Sequence, residues 1–129
     1  MRTKLILIVD DHDDTRNIFS AILNFDGYHV AEAENGEEAV AAALTFHPDM
    51  ILMDIVMPVL DGFATVEMLR SLPATHSIPI LAVTAKKCSD DDRARIASFF
   101  NGYLMKPITP TRMLAEVQRF IGAPHMNDE

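Results

Sequence analysis

Short apolar runs alternate five times with longer segments of helical periodicity, and no other feature limits the fold of this chain so strongly. The first run, Leu5 to Val9, is continuous and β-branched, as expected of a strand that is buried on both faces. Strands separated by helices of about 10–15 residues form parallel sheets with right-handed crossovers and helices on both faces. The pattern therefore predicts an α/β fold of the (βα)5 type, with a doubly wound, five-stranded parallel sheet.

Capping and turn signals place the boundaries of these segments. Asn35, with Glu38 three residues later, is expected to cap one helix, and Thr109 followed by Pro110 is expected to cap another. Gly27 is expected to end the first helix. The predicted strands cover residues 5–9, 28–33, 50–53, 78–83 and 103–105.

Composition and charge restrict the class of protein. With 129 residues, 49% of them hydrophobic and 23% charged, the chain is expected to form one globular domain. A net charge of −8 argues against a surface that coats nucleic acid, and a single cysteine excludes an internal disulfide. The apolar run near the N-terminus is too short for a signal peptide or a membrane span. We expect a cytoplasmic protein with one domain at residues 1–122 and a short disordered tail at 123–129.

Polar side chains follow four of the predicted strands. Asp10 and Asp11 follow the first strand, Asp54 ends the third, Thr84 ends the fourth and Lys106 follows the fifth. In an open parallel α/β sheet, ligands bind outside the carboxyl ends of the strands. We therefore expect three carboxylates, a hydroxyl and an ammonium group to converge at one edge of the sheet.

The chemistry of this group is that of a magnesium-dependent phosphoryl acceptor. Three neighbouring carboxylates repel one another, and a hard divalent cation such as Mg²⁺ relieves that repulsion. The formal charges of the carboxylates, the cation and Lys106 then cancel. A neutralised aspartate can act as the nucleophile that forms an aspartyl phosphate, and Thr84 and Lys106 are suitable donors to the phosphate oxygens.

Five short motifs, four of which carry these residues, resemble the receiver domain of two-component response regulators, over residues 3–122. They are Ile8-Val9-Asp10-Asp11, Leu52-Met53-Asp54-Ile55-Val56-Met57-Pro58 with Asp61-Gly62, Val83-Thr84-Ala85, and Tyr103-Leu104-Met105-Lys106-Pro107. The resemblance implies a flavodoxin-like strand order of 2-1-3-4-5. It also implies a stand-alone, chemotaxis-type regulator with one domain.

The resemblance implies a role for each acidic residue. Asp54 would be the phosphoacceptor. Asp11 and Asp54 would ligate Mg²⁺ through their carboxylates, Asp10 would act through water, and Val56 would offer its backbone carbonyl.

It likewise implies how the phosphoryl group is held and read out. Lys106, in a cis peptide bond with Pro107, would pair with a phosphate oxygen, and Thr84 and the Ala85 amide would donate to the phosphate. Tyr103 would then swing inward, which changes the face formed by helix four, strand five and helix five.

Such a protein is a signalling switch and not a metabolic enzyme, although it would catalyse its own phosphorylation and dephosphorylation. Its expected partners are a sensor histidine kinase or a histidine phosphotransfer protein and an unknown downstream protein, without nucleic acid or membrane insertion.

Two positions depart from the family pattern. Phe99 stands at the turn before strand five, where relatives carry a small residue, and a phenylalanine with a left-handed backbone would be strained. We therefore expect a rebuilt helix end. Val56 is apolar and its side chain cannot orient an attacking water, which favours a longer-lived phosphoryl group. The histidines show no metal-ligand spacing, and His12 is expected to be a solvated loop residue.

Three other functions compete with this interpretation. A flavodoxin-like cofactor binder would need a phosphate loop rich in Ser, Thr and Gly, whereas acidic residues at 10, 11, 13 and 14 would repel a flavin phosphate. A phosphatase of the haloacid dehalogenase type would need an aspartate where Val56 stands. A receiver fold that serves only as an interaction module would lack the residues that carry the chemistry, such as Asp54 or Lys106.

Overall fold

The computed structural model describes residues 3–55, 62–84 and 90–125, in which five strands alternate with five helices. The strands are β1 (Leu5–Val9), β2 (His29–Ala33), β3 (Met50–Asp54), β4 (Ile80–Thr84) and β5 (Gly102–Met105). The helices are α1 (Asp13–Asp26), α2 (Gly36–Phe46), α3 (Gly62–Ser71), α4 (Asp90–Phe99) and α5 (Pro110–Ile121).

The strands form one parallel sheet in the order β2-β1-β3-β4-β5, which confirms the predicted fold class. Every residue of β4, and every residue of β1 except the first, is buried, as continuous apolar strands require. The edge strands β2 and β5 are more exposed than the central ones.

Two apolar cores lie on opposite faces of the sheet, because successive side chains of a strand point to opposite sides. One core joins Leu7 and Val9 of β1 to side chains of α2, α3 and α4. The other joins Ile6 and Ile8 of β1 to side chains of α1 and α5. The protein is therefore three-layered, with three helices on one face and two on the other.

The predicted helix caps are confirmed. The side chain of Asn35 accepts a hydrogen bond from the Glu38 amide at 2.9 Å, and Thr109 Oγ1 accepts one from the Arg112 amide at 3.1 Å. Gly27 ends α1 with φ of 110°, a left-handed conformation that glycine adopts without strain.

The end of α4 is built differently from the strained turn that Phe99 suggested. Within the described ranges, His47 is the one residue other than glycine with positive φ, so Phe99 is not left-handed. The Phe99 carbonyl instead accepts a hydrogen bond from Arg70 Nε at 3.0 Å. Arg70 Nη2 also donates to Asn101 Oδ1 at 2.8 Å, and the same oxygen accepts the Ile80 amide at 2.8 Å. We call this group of Arg70, the Phe99 carbonyl and Asn101 the Arg70 clamp. Burial of the guanidinium lowers the pKa of Arg70.

The two ends of the described chain lie side by side. The Lys4 amide donates to the Pro124 carbonyl at 2.8 Å, and Thr3 forms an isolated antiparallel bridge with His125. Tyr28 Oη donates to the Gly122 carbonyl at 2.6 Å. The start of the predicted tail thus pairs with the N-terminal segment, residues 126–129 lie outside the described part, and the domain boundary at residue 122 stays a prediction.

Tyr28 should make the stability of the protein depend on pH under alkaline conditions. Burial, reinforced by the negative charge of Asp26, raises the pKa of Tyr28 to about 12. Below pH 10 the phenol is protonated in both folded and unfolded chains, whereas between pH 10 and 12 the unfolded chain ionises first. The free energy of unfolding should therefore fall as pH rises through this window, by about 2–3 kcal/mol from this residue.

Urea unfolding of the parent and of Tyr28→Phe between pH 8 and pH 12 isolates this contribution. At pH 8 the variant should lose about 1 kcal/mol, the usual net value of one hydrogen bond. The stability difference between the two proteins should shrink or reverse by pH 12. If the free energies of unfolding of the two proteins changed in parallel with pH, Tyr28 would titrate alike in the folded and unfolded chains.

Candidate functional site

The strand register brings the predicted site residues to one edge of the sheet. Asp10 and Asp54 are neighbours because the residues that precede them pair between β1 and β3. Lys106 follows the residue of β5 that pairs with Thr84 at the end of β4. The carboxyl ends of four strands therefore supply the site, as the sequence predicts.

The acidic residues form a compact cluster of potential metal ligands. One oxygen or ring nitrogen from each of Asp10, Asp11, His12 and Asp54 lies within 4.8 Å of all the others. Asp10 is only 1% exposed. Asp11 Oδ1 is buried and has no hydrogen-bond partner among the described residues, which is costly for a carboxylate oxygen. A hard divalent cation would satisfy this oxygen and relieve the repulsion, so the donor set fits Mg²⁺.

Lys106 supplies the positive charge that faces this cluster. Its Nζ lies 3.3 Å from Asp10 Oδ2 and 3.7 Å from Asp54 Oδ2. The Lys106 amide donates to the Thr84 carbonyl at 2.7 Å, and the predicted cis peptide bond between Lys106 and Pro107 is confirmed. One ammonium against three carboxylates leaves a formal excess of negative charge that a dication can balance.

The structure describes only two of the four other predicted site residues. Thr84 is buried at the end of β4, beside the cluster. Tyr103 lies on β5 and is 41% exposed, so its side chain is on the surface in this structure. Val56 and Ala85 lie outside the described residues, and the roles assigned to all these side chains stay predictions.

Arg16 stabilises the turn after β1 that carries Asp10 and Asp11, and the sequence analysis did not single it out. Its side chain is buried; Nη1 donates to the Asp10 carbonyl at 2.7 Å, and Nε donates to Glu32 Oε1 at 3.2 Å. Nη2 donates to Asp13. Burial acts to lower the pKa of Arg16, but the hydrogen bonds and charges of Asp13 and Glu32 outweigh it and raise that pKa. The guanidinium thereby fixes the turn that carries Asp10 and Asp11.

Gly62 allows α3 to begin directly against the end of β3. A Cβ atom at this position would lie 2.4 Å from Ile55 Cα and 2.7 Å from the Asp54 carbonyl oxygen. The Gly62 amide donates to the Ile55 carbonyl at 2.9 Å. The absence of a side chain at Gly62 is therefore required by the backbone that carries Asp54.

Comparison with known proteins agrees with this arrangement. Residues 6–118 match the family described as response regulator receiver domain. The chain is 30% identical to the polar-differentiation response regulator DivK of Brucella ovis, over 93% of this chain and 98% of that protein. In the described ranges, no helix combines the length and apolarity that a membrane crossing requires.

Solved structures resemble the whole described fold. The chemotaxis protein CheY4 of Vibrio cholerae has a TM-score of 0.87 and 32% identity, covering 92% of this chain and 99% of its own. The receiver domain of the sensor histidine kinase PA1611 of Pseudomonas aeruginosa has a TM-score of 0.86 and 32% identity, covering 95% of this chain and 100% of its own. That structure holds a magnesium ion coordinated in its active site cleft.

Phosphorylation and Mg²⁺ binding at an acidic site are general features of these receiver domains, which are signalling proteins and not classical enzymes. The family match also sets aside the flavodoxin-like and phosphatase alternatives. With its parallel sheet, its acidic cluster and a family match over most of its length, the chain belongs to the response regulator receiver domain family of two-component systems.

Proposed function

We propose that this protein is a phosphorylation-activated switch in which Asp54 accepts a phosphoryl group from a histidine kinase or a histidine phosphotransfer protein. The observation that carries the proposal is the position of Asp54 between the ammonium group of Lys106, at 3.7 Å, and the acidic residues of the β1 end. A carboxylate so placed is held beside positive charge on one side and beside metal ligands on the other.

The reaction at Asp54 is a phosphoryl transfer between side chains. A carboxylate oxygen attacks the phosphorus of a phosphohistidine, and a P–O bond forms as the P–N bond breaks. The leaving imidazole keeps the bonding electron pair and takes up a proton. Attack by water on the aspartyl phosphate later returns inorganic phosphate and the free carboxylate.

The residues of the acidic cluster would hold Mg²⁺ during this exchange. Asp11 and Asp54 would be its carboxylate ligands, Asp10 would contribute through water, and the Val56 carbonyl would complete the protein's share. The ion supplies positive charge that offsets the charge of the phosphoryl group. The buried Oδ1 of Asp11, which has no hydrogen-bond partner among the described residues, supports this assignment.

Lys106 and Thr84 would hold the new phosphate oxygens, together with the Ala85 amide. In the described structure the Lys106 ammonium is within 4 Å of both Asp10 and Asp54. A small movement toward the phosphate therefore replaces one anionic partner with another. Charge-assisted hydrogen bonds of this kind are about twice as strong as neutral ones.

The output would be a change in the face made by α4, β5 and α5. Tyr103 and Met105 are exposed on β5, so this face already presents large side chains to a partner protein. Inward movement of Tyr103 as Thr84 bonds the phosphate would reshape it. Shifting such a switch from 1:99 to 99:1 requires about 5.5 kcal/mol of differential interaction. We place this exchange in the cytoplasm, where ATP is available to the kinase, and expect a protein target.

Incubation with Mg²⁺ and acetyl phosphate, followed promptly by intact-mass measurement, tests this function. We expect one added phosphoryl group, dependent on Mg²⁺ and absent when EDTA is added. Beryllofluoride provides a second assay, since it mimics the phosphoryl group without hydrolysing; it should shift amide signals of α4, β5 and α5 in NMR spectra. If neither reagent had an effect, the protein would be an interaction module without phosphotransfer.

A further inference from the structure

We propose that His12 is a direct ligand of the divalent cation, so that the acidic site also binds late first-row transition ions, for which an imidazole nitrogen is a preferred donor. The proposal rests on the proposed function, since it concerns the same site. It adds to that function a nitrogen ligand and a different preference among metal ions.

The position of the imidazole is the first argument. His12 Nδ1 lies 3.1 Å from Asp10 Oδ1 and 3.0 Å from Asp11 Oδ1. Adjacent ligands of an octahedral ion, each about 2.1 Å from the metal, are separated by about 3 Å. The His12 nitrogen therefore already lies at the spacing of a neighbouring metal ligand from the Asp11 oxygen.

The local backbone is the second argument. His12 is the residue before the first turn of α1, but its side chain makes no capping hydrogen bond there. Its amide donates to Asp10 Oδ1 at 2.9 Å, which closes a tight turn and brings the ring over the carboxylates. The side chain is 67% exposed, so solvent and ions reach it freely.

The unpartnered oxygen is the third argument. Asp11 Oδ1 is 3.0 Å from His12 Nδ1, yet the two atoms do not meet in hydrogen-bond geometry. The ring nitrogen instead hydrogen-bonds to Asp10 Oδ1 at 3.1 Å, so the buried Asp11 oxygen is left without a donor. A metal ion bound between Asp11 and His12 would give this oxygen a partner.

The type of donor atom determines for which metal ions His12 increases the affinity. Carboxylate, carbonyl and water oxygens suit Mg²⁺, whereas imidazole suits iron, nickel, copper and zinc. A site in which one imidazole joins the carboxylate ligands therefore binds both classes but favours the transition ions more than oxygen ligands alone would. We expect the ratio of Ni²⁺ to Mg²⁺ affinity to depend on His12.

Calorimetric titration of the full chain with Ni²⁺ and with Mg²⁺ tests the proposal, using His12→Phe and the matched variant His29→Phe. Replacing His12 should weaken Ni²⁺ binding about tenfold or more and change Mg²⁺ binding much less. Replacing His29, an exposed histidine on β2, should change neither affinity.

Proton NMR of the Ni²⁺-loaded proteins gives a readout that a structural role of His12 would not produce. Hyperfine-shifted imidazole signals should be present in the parent and in His29→Phe and absent in His12→Phe. Identical shifted signals in all three proteins, with Mg²⁺ binding intact, would overturn the role of His12 and leave the proposed function standing. A parent chain that bound neither ion would contradict both proposals.

Discussion

Replacing Asp54 with Asn should abolish phosphorylation by acetyl phosphate. The amide oxygen is not a competent nucleophile, and the neutral side chain also weakens the attraction for the cation that offsets the phosphoryl charge. The parent should gain one phosphoryl group by intact mass and the variant none, under the same Mg²⁺ concentration and sampling time. The fold should survive, because loss of one carboxylate relieves repulsion with Asp10 and Asp11.

Asp14→Asn is the matched control for this experiment. It makes the same substitution with the same change of charge on an exposed residue in the first turn of α1. Its phosphorylation should equal that of the parent. A full adduct on Asp54→Asn, mapped by peptide mass spectrometry to another carboxylate, would show that the acceptor is not Asp54.

Replacing Gly62 with Ala should produce the largest loss of stability among the changes considered for this protein. The added methyl group would meet backbone atoms of Ile55 and Asp54 at 2.4 and 2.7 Å, and backbone atoms cannot rotate away as a side chain can. Overpacking commonly costs about 1–3 kcal/mol, and a clash with backbone on this scale should reach or exceed the upper end. Urea unfolding measures this loss directly.

The same substitution should weaken Mg²⁺ binding, since relief of the clash displaces the strand end that carries Asp54. Gly102→Ala provides the control, because its Cβ would meet a side-chain atom of Leu81 at 3.1 Å, which can move. That variant should lose less than about 1 kcal/mol and keep its Mg²⁺ affinity. Equal losses from the two substitutions would mean that α3 can shift away from β3 at little cost.

The sequence was sufficient to predict the sheet and the members of its acidic edge. Apolar runs such as Leu5–Val9 are distinct from the helical pattern around them, and a parallel sheet brings strand ends together whatever the details of packing. Asp10, Asp54 and Lys106 therefore could be assigned to one edge without knowledge of any contact. Boundaries were less accurate: β4 begins at Ile80, not at residue 78 as predicted.

Contacts between distant side chains and backbone could not be predicted in the same way. Arg70 and Phe99 are far apart in sequence, and neither residue type indicates that a guanidinium will donate to a carbonyl in the last turn of α4. The expected rebuilt helix end at Phe99 agrees with the structure, but the long-range hydrogen bonds that build it could not be predicted. Arg16 was missed for a similar reason: its importance depends on the orientation of one side chain in a folded turn.

The Arg70 clamp holds the C-terminal end of α4 in place, so any tilt of this helix pivots about that end. Its C-terminal end is tied to α3 and, through Asn101, to the amide of Ile80 in β4, whereas Ile96 is the one fully buried residue among the ten of the helix. A helix of ten residues is about 15 Å long, so a tilt of about 10° about a fixed C-terminal fulcrum moves the other end by about 2.6 Å. The N-terminal end of α4 is the end nearer in sequence to β4. A displacement passed to that end would therefore be largest along the first turns of α4 and smallest at Phe99.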